Sequence, residues 1–277
     1  MIVNIANHGG PIIWEGIYYF GLSDYPDISD WELRKLVLFI EYEKKHSRET
    51  EIVCENKDIL QAVNHALANP EPFLLTPKPS IIVYTVCADC RHKGCLTDYL
   101  CHTTEIENAK SIFKCGKILS SVKARNKTGA ELAAERELSP FKGFKDPPDY
   151  YDYIMFSWGN CFIGDKIVME KVLGRYPYED DLSVDFKPGV RFYFEYETLI
   201  NHKCFTEDGS HPAKIKDELS LSDYLHCCII PKSNEAEFDN IIPSGLADRV
   251  FYVENDCKDI WEWSKKVYNF VRGRKGG

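Results

Sequence analysis

No stretch of this sequence approaches the roughly 20 consecutive apolar residues that a bilayer-spanning helix needs. The opening MIVNIANHGG has no basic segment followed by an apolar run. The expectation is a chain with neither membrane span nor export signal, working in the cytoplasm. Positive charge is in deficit: 34 Lys and Arg stand against 43 Asp and Glu, a formal net charge of −9. A general basic surface is therefore excluded as the main grip on DNA or RNA, which leaves room only for a local one. A glycine-rich phosphate loop is also missing, since Gly9-Gly10 and Gly94 match no nucleoside-triphosphate fingerprint. The chain has no internal repeat, so solenoids and propellers fall away.

What the sequence does contain is a globular composition: 277 residues, 44% hydrophobic, 28% charged and 13% aromatic. Such a chain can bury a sizeable core. Eleven Cys are present, an odd number that cannot pair fully within one chain. In a reducing cell they read as thiols. Four of them, Cys87, Cys90, Cys95 and Cys101, crowd with His92 and His102 into one short stretch. Cys87-x2-Cys90 has zinc-knuckle spacing, but Cys95 and Cys101 follow too soon to be a usual second pair. The reading adopted is packing or loop thiols with no metal.

The Pro-rich stretch Asn69-Pro70-Glu71-Pro72 to Pro77-Lys78-Pro79 marks a boundary. Residues 1–79 read as a small N-terminal α/β subdomain. Its strands fall at 2–6, 12–20 and 50–54, with one helix after Asp30 and another from Asn56 to about Ala68. Residues 80–277 read as a larger domain with strands at 80–86, 153–158, 191–196, 227–231 and 249–254. Helices are expected after the Thr104/Glu107 and Thr128/Glu131 capping-box pairs and after Asp256. Strands outnumber helices without regular alternation, so the fold class is α+β.

The most informative segment is LCHTTEIENAKSIFKCGKILS, residues 100–120. A short strand ends at His102, a helix follows, then a Gly turn and a small apolar strand. This His-x-Thr, Asn-x-x-x-Ile, Gly-x-Leu layout resembles the NAD-binding half of ADP-ribosyltransferases, most of all the DarT-type branch, whose members modify DNA bases. The resemblance spans residues 99 to about 231. It extends to Asp152-Tyr-Ile-Met-Phe-Ser as a central strand, to Arg136 at a separation from His102 found in that branch, and to Glu218 just before the 227–231 strand. It implies a split β-sheet and NAD as substrate, with a macromolecular acceptor. DNA or RNA is preferred as acceptor by resemblance, and protein remains open. It also implies a biological setting such as a toxin or a phage-defence effector.

The chemistry sorts the residues. Breaking the nicotinamide–ribose bond develops positive charge on the ribose, which a carboxylate can stabilise. Glu218 is the candidate, with Glu207, Asp208 and Asp217 as rivals. His102, with Thr103 and Thr104, would hold the adenosine ribose. Arg136, and after it Arg125, would meet the pyrophosphate, because a guanidinium grips phosphate with two bonds. Tyr153 and Phe156 would sandwich the nicotinamide. The polar loop 203–217 would meet the acceptor. Two other classes stay open: an NAD-dependent RNA 2′-phosphotransferase, which also carries His-x-Thr, and a non-catalytic, zinc-supported binding module.

Overall fold

The computed structural model describes residues 1–7, 12–14, 16–22, 25–75, 98–138, 146–183 and 186–274. The expected strand at 80–86 and Cys87, Cys90 and Cys95 lie outside them. The fold is mixed α+β, with one small and one large sheet.

The N-terminal part is built on β1 (Ile2–Ala6), β2 (Ile12–Trp14), β3 (Ile17–Gly21), α1 (Asp30–Lys45), β4 (Glu51–Cys54), α2 (Lys57–Ala68) and α3 (Glu71–Leu75). Its sheet has the order β2-β3-β1-β4, with β1 parallel to both β3 and β4. Alternation in β1 and β3 sends Val3, Ile5, Tyr18 and Phe20 inward against Leu36, Val37 and Phe39 of α1. Ser29 caps α1, through a capping box with Glu32. Asp30, the expected cap, is instead the first helical residue.

The larger part contributes β5 (Tyr99–Thr104), α4 (Ile106–Cys115), β6 (Lys117–Leu119), α5 (Ser121–Arg125), α6 (Gly129–Leu138), β7 (Tyr153–Trp158) and α7 (Ile163–Leu173). It continues with β8 (Val190–Glu195), α8 (Tyr196–Ile200), β9 (Phe205–Thr206), β10 (Ala213–Lys216), β11 (Glu218–Ser220), α9 (Leu221–Tyr224), β12 (Leu225–Pro231), β13 (Val250–Val253) and α10 (Ile260–Gly273). Seven strands form a sheet of order β13-β12-β8-β5-β7-β10-β9, and β6 pairs with β11 as a separate ribbon. One face carries Phe156, Phe192, Phe194 and Ile230 under Phe113 of α4. The other carries Tyr193 and Ile229 under Trp263 and Val267 of α10. Asp259 caps α10, whereas the expected cap Asp256 is an ion-pair partner of Lys266.

The sheet splits at β5. β5 stays paired with β8 as far as Thr104, but with β7 it shares only Leu100↔Trp158 and Cys101↔Ser157. Beyond that point β7 pairs with β10 on its far side. The C-terminal half of β5 and the N-terminal half of β7 thus diverge, and His102 is the first residue past the split.

The two parts are bound through the β9–β10 turn. This segment, expected to be an acceptor-facing loop, is a β-hairpin clamped by α1. Arg34 holds Glu207 at 2.9 Å. Lys214 is fully buried, 3.1 Å from Asp208, with its Nζ within 3.7–4.6 Å of the Tyr42, Tyr150 and Tyr153 ring centroids. Burial alone would raise the Asp208 carboxyl; the His211 ring and Lys214 hold it below the ordinary carboxylate range instead. Gly209 sits at φ +71°, where a Cβ would lie 2.0 Å from the Lys35 carbonyl oxygen. Gly209→Ala is therefore expected to destabilise the protein by about 2 kcal/mol or more, read by urea unfolding. An unchanged midpoint would mean the turn is not clamped.

Candidate active site

Sequence and geometry meet at the split. β5 is rich in β-formers and buried at Tyr99, Leu100 and Cys101. His102 Nδ1 lies 3.2 Å from the Met155 carbonyl oxygen on β7. The carbonyl can only accept, so Nδ1 carries the proton, and in the neutral ring Nε2 is an acceptor. Enclosure of the ring lowers its pKa below the ordinary histidine value, and the bond to Met155 opposes this only in part. The imidazole therefore spans the apex of the opening in its neutral form.

The chain then runs from His102 through α4 to β6. Gly116, at φ +71°, turns it there. β6 pairs antiparallel with β11, Glu218 facing Leu119. Backbone bonds from Ser120 to Asp217 and from Leu221 to Gly116 close both ends of the ribbon. The unit that carries His102 thereby fixes the strand that carries Glu218. The Glu218 carboxylate is bonded by Lys117 at 2.7 Å and Lys123 at 3.2 Å, which hold its pKa below the ordinary value. It is partly exposed and ionised. The rivals are engaged elsewhere: Glu207 and Asp208 in the α1 clamp, and Asp217 in a turn at φ +69°.

Arg125 is exposed and pairs with Glu135 of α6 at 2.9 Å; Lys127 pairs with the same carboxylate. Arg136, the next residue along α6, acts on a different set. Its charge is felt by Glu170 on α7, by Asp146 and by Tyr151 at the approach to β7. α6 thus holds Arg125 and Lys127 through Glu135, while its Arg136 acts on Glu170, Asp146 and Tyr151.

Four residues expected to hold NAD take packing roles. Phe156 is 2% exposed, packed between His102 and Phe194, and is a core residue that cannot stack on a ligand. Tyr153 belongs to the Lys214 aromatic box. Thr103 is pressed against α7 and Gly189: a Cβ on Gly164 would come within 2.4 Å of its Oγ1, and one on Gly189 within 2.8 Å of its Cγ2. Thr103 is a packing residue. Thr104 is the buried last residue of β5, and Glu105 takes the N-cap position without a side-chain bond. Cys101 is a core thiol, 1% exposed, 3.5 Å from Thr103 Oγ1 and pushed by burial up to about 11. No metal-binding group of three or more His, Cys, Asp or Glu occurs among the described residues.

Sequence reading missed Glu170. It is 7% exposed. Burial pushes its carboxyl up to about 7, against the lowering effect of Arg136, Lys166 and Lys171. Glu170 sits between Met169 and Lys171, in a helix that is apolar on several sides, and the flanking lysines make it look like part of a solvated face.

Comparison with known proteins finds no matching family model, no matching curated protein and no matching solved structure. Among the described residues no helix is long and apolar enough to cross a membrane. The reading of this site rests on its geometry and on the sequence layout.

Proposed function

We propose that the chain is an NAD-dependent ADP-ribosyltransferase, moving ADP-ribose from NAD to a macromolecule with release of nicotinamide. One observation carries this reading: the sheet opens at a neutral His102, and the same β5-α4-β6 unit anchors an ionised Glu218. The split agrees with the split sheet that the sequence layout implies.

Each group suits its part. With Nδ1–H committed to Met155, His102 Nε2 is left to accept from a ribose hydroxyl. A neutral ring is suited to this, because an imidazolium has no acceptor. Glu218, kept charged by two lysines, can stabilise the cation that forms as the nicotinamide–ribose bond breaks. Arg136 and Arg125, on and beside α6, supply guanidinium charge for a diphosphate. Phe156 is withdrawn from the site, and Tyr153 serves the β10 clamp. DNA or RNA is the acceptor the layout prefers, which at −9 net charge needs a local basic surface. Lys117 and Lys123 contact Glu218, and the stretch 114–127 that carries them also holds Lys114, Arg125 and Lys127 with no acidic residue.

Calorimetric titration with NAD tests the reading. Saturable binding is expected, weakened about tenfold in His102→Ala, as for loss of a ligand hydrogen bond in a partly buried site. Equal affinity in the two proteins would remove His102 from the pocket. No heat from either would reject NAD as the ligand.

A further inference from the structure

We infer that α5 and its flanks are the surface on which the phosphate backbone of a nucleic acid docks, and that docking draws Lys117 and Lys123 off Glu218. This rests on the NAD reading above and adds control of that site by the acceptor. Four cations and two carboxylates make up the surface. Lys117 of β6 bonds one Glu218 oxygen at 2.7 Å, and Lys123 of α5 bonds the other at 3.2 Å. Arg125, the last residue of α5, lies 2.9 Å from Glu135 of α6, and Lys127 pairs with the same carboxylate. Each carboxylate is shared by two cations, so each triad keeps one positive charge in excess. All six side chains are between 38% and 56% exposed.

A chain of net charge −9 repels a polyanion over most of its surface, and these two excess charges stand at Glu218 itself or next to it in sequence. A phosphodiester chain is the fitting partner. It carries a negative charge at every nucleotide, and a lysine ammonium binds phosphate as a point charge. Exposed ion pairs are weak and exchange readily. Phosphates arriving on α5 therefore compete with Glu218 and Glu135 for their cations. The consequence falls on the reaction. In the free protein two ammonium groups offset the negative field that a forming ribosyl cation needs. Once they turn to phosphate, that field is unmasked, and Glu218 stays ionised at neutral pH without them. NAD is then spent when an acceptor is in place, and little is lost to water. In that wasteful step a water oxygen bonds C1′ as the C1′–N bond breaks, its proton passes to solvent, and nicotinamide leaves with the electron pair.

Competition has a signature that needs no NAD. If phosphate and carboxylate draw on the same ammonium groups, removing the carboxylate must tighten phosphate binding. Arg125 is left to the NAD diphosphate, so the variants are in the lysines and the carboxylates. A fluorescent single-stranded DNA of mixed sequence is titrated by anisotropy at low salt, beside RNA, duplex DNA and polyglutamate of similar length. Wild type should bind the nucleic acids and release them as salt rises. Glu218→Gln and Glu135→Gln should each tighten binding about threefold, and the double variant Lys117→Gln, Lys123→Gln should weaken it about tenfold. Asp181→Asn frees Arg175 near Leu182, in the core on the opposite face of the sheet, and should leave affinity unchanged. Equal tightening in Asp181→Asn would reduce the effect to net charge and overturn the exchange. Absence of nucleic-acid binding overturns the surface, and equally tight polyglutamate overturns the phosphate assignment. With NAD present, nicotinamide release by wild type should rise about tenfold when DNA is added, and the lysine double variant should release it at the raised rate without DNA. A double variant as slow as wild type alone overturns the control of Glu218 and leaves the NAD reading standing. A wild type that binds DNA but never consumes NAD overturns that reading and the control with it, and leaves the docking surface.

Discussion

Glu218→Gln is expected to lower NAD-dependent labelling by about 10²–10³-fold at pH 7.5, the loss typical of removing one group aimed at transition-state charge. Gln preserves the shape and can still accept from Lys117 and Lys123, but it cannot offer a full negative charge to a developing ribosyl cation. NAD affinity should change little, because the ground-state ribose is neutral. The fold should also survive. Both ion pairs of Glu218 are exposed, and the β6–β11 ribbon is held by its backbone register and the buried Leu219. Rate and affinity should therefore separate in single-turnover kinetics run beside NAD titration. A variant that labels at the wild-type rate would remove Glu218 from the chemistry, and one that loses NAD binding would make it a binding residue.

The second large effect concerns stability. Arg191 on β8 and Asp165 on α7 are both fully buried. Arg191 Nε donates to Asp165 at 2.8 Å, its Nη2 donates to Asp165 and to Ser264 of α10, and Nη1 donates to the Tyr193 hydroxyl. The Gly189 N–H fills the other Asp165 oxygen at 2.8 Å. The network joins α7, β8 and α10 under the sheet. Removing one partner leaves an uncompensated charge in the core, so Arg191→Met and Asp165→Leu are each expected to cost about 3–5 kcal/mol in urea unfolding. The double replacement should cost clearly less than their sum, since no lone charge remains. Additive single effects would show that the two side chains are not coupled.

Much of the architecture is legible where two signals coincide. At α6 the Thr128/Glu131 reciprocal bonds form where the spacing predicts them. At α1 and α10 the helix is legible but its cap is not. Asp30 and Asp256 are good capping residues, yet the acceptor that reaches the first-turn N–H is Ser29 in one case and Asp259 in the other. The His102 strand, its helix and the Gly116 turn follow from residue order alone. The split does not, because it depends on where β7 leaves β5 for β10. β9 and β10 escape notice for a physical reason. They are two and four residues long, and Lys214 reads as polar although three tyrosines and Asp208 bury it. α7 escapes because Ile163, Ile167, Val168, Met169, Val172 and Leu173 spread around its circumference and Phe162 offers no capping oxygen. Phe156 shows the converse error: an aromatic residue near a presumed pocket is more often core, and its alternation with Ile154 points to that side of the sheet.

The most direct test counts both halves of NAD in one reaction. NAD carrying one label on the nicotinamide ring and another on the adenylate phosphate is incubated with the full chain and a mixture of DNA, RNA and protein. The account predicts free nicotinamide in step with phosphate label fixed on macromolecules, with both falling together in Glu218→Gln. Both labels remaining in intact NAD, whatever acceptor is offered, would contradict it.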